Sequence, residues 1–343
     1  MLRSIQLLRG IAATAVVFHH AYKPGYDLSA ARYGAAGVDI FFVISGFIMA
    51  TVAGSRSWDE FLGDRVFRIY PLWFVAVLPW FFIHPNTIGG TLTSLTLWPV
   101  WGHVAFPALA IGWTLSYEML FYVVFAVGIA AGRPLVPFVI FGLLIVLDLL
   151  LRNVLVLRFI GSPMAMEFLA GVLIAKLPKR SRLGPVSIVA GLFAFAFSPY
   201  GQFMYGPETL TRVLQWGVPA ALIVYGALSL EPLLDTTAFA FPLFIGDASY
   251  SIYLFHPLIV YRTPWPAGVV GGLLIGVLAH LMIEKPIVRR VRDFKRARTA
   301  RLEVVSAVGG GVIACPASAR ASCGKKGIKP TNGKPPSKRA TLS

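Results

Sequence analysis

Apolar positions fill this chain in long blocks, separated by short polar connections. Runs long enough to cross a bilayer lie at roughly 5–22, 34–53, 67–84, 108–131, 134–151, 164–178, 185–199, 210–229, 238–261 and 267–284. A span needs about 20 residues, with about 17 as a lower limit, so the sixth and seventh runs are the shortest that qualify. The pattern predicts an all-α, polytopic membrane helical bundle of about ten transmembrane helices. It stops after Phe294, where Gly, Ser, Pro and Lys take over without periodicity. This divides the chain into a membrane domain, 1–294, and a basic, disordered C-terminal tail, 295–343.

Composition strengthens that picture. Of 343 residues, 57% are hydrophobic and 13% charged, where a soluble domain carries about 25% charged residues. The net charge of +16 would suit a nucleic-acid binder, but 15 of the 31 Lys and Arg lie from Lys285 onward. A basic end beside membrane segments reads instead as a cytoplasmic tail held near anionic lipid, with no nucleic-acid module. Lys and Arg in the short connections are nearly balanced between the two sides. The tail and Arg3 therefore set the orientation, and an even count of spans places both termini in the cytoplasm. Cys315 and Cys323 both lie in the tail, which excludes disulfides and thiolate metal sites from the membrane domain. Arg9 within the first apolar run, with no small-residue cleavage pattern after Tyr22, argues against a cleaved signal peptide.

The candidate chemistry consists of the charges inside these runs. In LLRGIAATAVVFHHAY (7–22), Arg9 and His20 are eleven residues apart. At about 100° per residue they fall within about 20° of one face, separated by about 16 Å along the axis, whereas His19 points about 80° away. Arg9 and His20 are thus expected to face one interior cavity at different depths, with His19 a bystander. The plainer reading of His20 is a satisfied histidine at a helix end. In GVDIFFVISGFIMA (37–50), Ser45-Gly46 suits close helix packing. Asp39 is either a solvated residue at a helix start or a buried carboxylate that needs a cation or histidine nearby. Arg65 and Arg68, three apart, form either an ordinary positive-inside anchor or a grip on phosphate. Glu118, deep in GWTLSYEMLFYVVFA, is either an interior functional carboxylate or a structural partner for an arginine. His256-Pro257 reads as a local cap or kink, and Glu284 as a salt-bridge partner for a neighbouring base.

Taken together, LLRGIAATAVVFHHA, GVDIFFVISGF, RVFRIYPLW, GWTLSYEMLFY, MEFLAGVLIA, GDASYSIYLFHPL and IEKP occur in an order that resembles the acyltransferase family 3 membrane proteins. The resemblance is strongest to the branch that O-acetylates exopolysaccharides, and it covers about residues 4–294. It implies transfer of an acetyl group from cytosolic acetyl-CoA to a sugar hydroxyl of a glycan or its lipid-linked precursor in the bacterial inner membrane. Arg9 and His20 correspond to the family's first-span arginine and histidine, and Arg65 and Arg68 to its Arg-x-x-Arg phrase. Gly63 and Asp64 stand where a more basic run is usual, and no extracytoplasmic esterase-like domain is expected after the bundle.

On this reading, His20 is the base for the acceptor hydroxyl, oriented by Glu118 or Asp39. Arg65 and Arg68 hold CoA phosphates, Arg9 lies along the pantetheine path or near the developing negative charge, and no metal is expected. Direct transfer and a covalent acyl-histidine both remain open. The rival classes are a membrane transporter, which would show inverted repeats that this chain lacks, and a non-catalytic subunit of a polysaccharide export assembly.

Overall fold

The computed structural model describes residues 2–22, 29–54, 56–83, 87–98, 107–151, 154–179, 181–198, 210–294 and 296–297. The secondary structure among them is helical. The first half contains α1 (Arg3–Ala21), α2 (Gly37–Ala53), α3 (Trp58–Ile83), α4 (Ile88–Thr96), α5 (Trp113–Ala130), α6 (Val136–Leu150) and α7 (Leu155–Ile160). There follow α8 (Ala165–Ile174), α9 (Gly184–Ala196), α10 (Leu210–Arg212), α11 (Val218–Ala227), α12 (Ala240–Phe255), α13 (Pro257–Val260) and α14 (Ala267–Ala279). Several starts carry proline at the first helical positions, as in α6, α9, α11 and α13, where its missing N–H costs nothing. Two π-helical turns, Val213–Gly217 and His280–Glu284, extend α10 and α14.

Each of the ten apolar runs contains helix, but seven helical stretches are long and apolar enough to cross a membrane by length and composition. The remaining three runs correspond to α1, which carries Arg9, and to the shorter apolar helices α6 and α9. The chain divides into two units, 1–288 and 289–343. Beyond residues 296–297, the tail with its expected disorder, and both cysteines, lie outside the described residues.

In lipid, apolar faces gain little from meeting each other, so helices associate where small residues let backbones approach. Two such approaches build the site. Helices α2 and α8 cross antiparallel at Gly46 and Gly171: a Cβ on Gly46 would lie 1.9 Å from the Phe168 carbonyl oxygen, and one on Gly171 the same distance from that of Val43. Helices α1 and α12 run parallel and meet at Gly246, where a Cβ would lie 2.1 Å from the Gln6 carbonyl oxygen. The aromatic core lies against α2 on the side of α3, α5 and α8, where Phe61, Trp73, Phe121 and Phe168 are fully buried and Phe121 stacks on Phe168 at 4.6 Å. The polar side chains collect between this core and the α1–α12 pair.

Candidate active site

Two of the cavities between these helices are lined by candidate site residues. The first is lined by Arg9 of α1, Ser45 of α2, Arg65 and Arg68 of α3, Glu118 and Tyr122 of α5, and Ser249, Tyr250 and Tyr253 of α12, among others. Arg9 and Arg65 are 9% and 6% exposed, while Arg68 is exposed. Glu118 accepts hydrogen bonds from Ser45 Oγ, at 3.0 Å, and from the Tyr122 hydroxyl. Arg65 lies over the rings of Phe61 and Tyr122, 5.6 and 5.9 Å from their centroids. Arg65 Nε and Ser249 Oγ are buried with no hydrogen-bond partner among the described residues. Three guanidinium groups around one carboxylate make a site suited to a multiply charged anion.

The second cavity is lined by Val16, His19 and His20 of α1, Ala35 and Val38, Ile111 and Trp113, Arg212, Trp216 and Tyr253. Val38 and Tyr253 line both cavities and so form the partition between them. The Tyr253 hydroxyl is anchored there, 2.8 Å from Thr114 Oγ1 and 3.0 Å from the Ile111 carbonyl oxygen.

His20 does not stand alone. Its Nδ1 lies 3.1 Å from the Val16 carbonyl oxygen and 3.0 Å from Nε2 of His256, whose own Nδ1 lies 3.0 Å from the Ile252 carbonyl oxygen. A carbonyl accepts only, so the His256 Nδ1–H donates to Ile252 and its Nε2 is left as an acceptor. The His20 Nδ1–H then donates to Val16 and His256. This network assigns the lone pair of His20 to Nε2, on a ring that lines the second cavity. The edge of Tyr261 packs against the same ring at 6.0 Å.

These positions correct several sequence expectations. Arg9 and His20 share a helical face but not a cavity, because eleven residues carry the chain about 16 Å, from one chamber to the other. His19 lines the second cavity together with His20, so angle around the helix does not separate them. Neither Glu118 nor Asp39 reaches His20. Glu118 is bound to Ser45 and Tyr122, and Asp39 is held by Arg212, whose Nε and Nη2 donate to its two oxygens at 3.0 and 2.8 Å. Asp39 is therefore the buried carboxylate with a cation, at 0% exposure, and not a solvated helix start. Gly46 does serve close packing, while its neighbour Ser45 turns to Glu118. Glu284 accepts from Ser251 Oγ and pairs with His280, both at 2.7 Å.

Two residues escape the sequence reading. His256, which reads in sequence as a cap or kink, is the partner of His20, and Arg212, near the start of the 210–229 run, is the partner of Asp39. A spacing signal for the first exists, since Gly10 precedes His20 by the same ten residues that separate Gly246 from His256. The signal for the second is the buried carboxylate itself, which requires a cation from elsewhere in the chain. Among the described residues, no group of three or more His, Cys, Asp or Glu could hold a metal ion.

Comparison with known proteins identifies the family. Residues 2–263 match the acyltransferase domain of the acyltransferase 3 family. The chain is 35% identical to the exopolysaccharide production protein ExoZ of Rhizobium meliloti (strain 1021), over 81% of this chain and 96% of that protein. It is 26% identical to the peptidoglycan O-acetyltransferase OatA of Listeria monocytogenes, over 83% of this chain and 55% of that protein. It is 24% identical to the acyltransferase MdmB of Streptomyces mycarofaciens, over 87% of this chain and 95% of that protein. No solved structure matches the chain significantly. A family match across most of the chain, together with helices apolar enough to span a bilayer, makes this an integral membrane acyltransferase belonging to the acyltransferase 3 family.

Proposed function

We propose that the chain moves an acetyl group from cytosolic acetyl-CoA to a sugar hydroxyl of an exopolysaccharide or its lipid-linked precursor. The donor enters the arginine-lined cavity, where Arg65 and Arg68 hold CoA phosphates and Arg9 lies deeper along the pantetheine path. The acceptor enters the histidine-lined cavity, and His20 Nε2 takes the proton of the attacking hydroxyl. The partition at Val38 and Tyr253 is where the thioester meets that hydroxyl. Both termini lie on the cytoplasmic side of the inner membrane, the side that the arginine cavity faces.

The observation that carries this reading is the His256–His20 hydrogen bond, which leaves the His20 lone pair on one defined nitrogen. General-base help from such a group is worth about 10²–10⁴-fold. Glu118 offsets the arginine cluster and fixes Ser45 and Tyr122; Asp39 acts through Arg212. The names of ExoZ and OatA support a glycan acceptor and an acetyl group respectively. The reading is tested by the purified chain in proteoliposomes, with labelled acetyl-CoA and an exopolysaccharide repeat, following free CoA with a thiol reagent. Acceptor-dependent CoA release supports it. Absence of CoA release, as expected of a transporter or an export subunit, overturns it.

A further inference from the structure

Among the described residues, Arg212 is the guanidinium that lines the histidine cavity, and proton transfer to His20 makes no use of it. It occupies the last position of α10, directly before the π-helical turn Val213–Gly217. Wide turns of this kind are frequent at functional sites. Three contacts hold the group. Nε and Nη2 form a two-pronged bond to Asp39, Nη2 also reaches the Ala35 carbonyl oxygen at 3.5 Å, and the guanidinium carbon sits 5.0 Å over the ring of buried Trp216. These hydrogen bonds use one edge of the fork and, among the described residues, leave Nη1 without a bond, on a side chain that lines the cavity. Glu167, 1% exposed, packs against the same turn, where a Cβ on Gly217 would lie 2.7 Å from its carboxylate. A cation fixed from three directions in the same cavity as a base is preorganised for charge that appears only during reaction.

We propose that Arg212 is a further catalytic residue, donating from Nη1 to the acyl carbonyl oxygen as it becomes negative. This rests on the reading of His20 as the base. The hydroxyl oxygen of the acceptor bonds to the acyl carbon while its proton passes to His20 Nε2. The carbonyl electron pair moves onto oxygen, facing Arg212. The carbon–sulfur bond then breaks, its electron pair leaves on the CoA sulfur, the carbonyl re-forms, and the proton held by His20 neutralises the thiolate. Asp39 is a positioning residue, because it orients the guanidinium without meeting substrate.

The competing role is purely structural, a tie between α2 and the π-helical turn. Transfer by the parent chain and its loss in His20→Ala first establish the reading of His20; retention in His20→Ala would remove that reading whatever the Arg212 variants do. Arg212→Ala is then expected to lower kcat by about 10²–10³-fold, as loss of one oxyanion donor does, with KM for acetyl-CoA changed less than about two-fold. Added guanidinium ion should recover part of the loss, and ammonium ion should not. If Arg212→Ala fails to accumulate in membranes, Arg212→Lys keeps the charge beside Asp39 and carries the same expectation. A kcat within about three-fold of the parent overturns the proposal. So does full recovery by the reversed pair Asp39→Arg/Arg212→Asp, which restores the tie but moves the cation to α2.

Discussion

His20 and His256 face each other at 3.0 Å because the helices that carry them run parallel in one register. Ten residues earlier on each helix, Gly10 and Gly246 stand in contact: a Cβ on Gly10 would meet the Gly246 amide nitrogen at 3.0 Å. The same offset of 236 positions separates the two glycines and the two histidines. Close backbone approach at one end of the pair thus accompanies the imidazole contact at the other, about 15 Å away along the helices.

Substituting Gly246 tests whether the contact depends on the approach. Gly246→Val puts a branched side chain where even a Cβ would lie 2.1 Å from the Gln6 carbonyl oxygen, so α12 must move away from α1. Overpacking of this kind costs about 1–3 kcal/mol. The expected outcome is a lower melting temperature in detergent together with reduced transfer. Unchanged activity with Gly246→Val would show that the histidine contact does not rely on this approach.

His256 is expected to act as a positioning residue. His256→Ala removes one of the two acceptors for the His20 Nδ1–H, leaving the Val16 carbonyl, and should lower kcat by about 10–10²-fold with little change in KM. His256→Gln, whose side-chain oxygen can accept the same hydrogen bond, should recover part of that loss. Steady-state kinetics of the two variants decide the matter, because a space-filling role would not distinguish them in this way.

The arginine cavity predicts a binding defect. Arg65→Ala/Arg68→Ala would delete the two proposed charge-assisted contacts to CoA phosphate, each worth about 1.5–3 kcal/mol, so each is expected to weaken acetyl-CoA binding by about 10–10²-fold. Calorimetry on the purified double variant measures this, and an unchanged affinity removes both residues from the donor site.

Asp39→Asn should destabilise the protein more than its exchange of one oxygen suggests. It leaves the buried Arg212 guanidinium without its counter-charge, and breaking a buried pair costs about 3–5 kcal/mol. Thermal unfolding in detergent, compared with Arg212→Gln and with the double variant, reads out the coupling. Additive losses would contradict a shared ion pair.

The bundle itself is legible in the sequence, because a helix that crosses lipid must be long and apolar, and seven of the ten runs fall in helices with that character. Periodicity also places Arg9 and His20 on one face of α1, as the structure has them. It does not show that one face serves two chambers, since angle around an axis carries no information about which neighbours close the space above and below. The same gap hides His256 and Arg212, whose significance comes from His20 and Asp39 on helices distant in sequence. Sequence angle sets His19 aside, yet it lines the cavity with His20. The hydrogen bond to His256, made by His20, is what gives the two rings different chemical positions.

That difference supplies the most direct test of the account. Purified His20→Ala and His19→Ala are each compared with the parent chain for transfer of labelled acetyl from acetyl-CoA to a glycan acceptor in proteoliposomes. His20→Ala is predicted to lose about 10²–10⁴-fold in rate, the contribution of a general base, while His19→Ala keeps the rate within about ten-fold. Parental transfer by His20→Ala, or its abolition by His19→Ala alone, would contradict the assignment of His20 as the base.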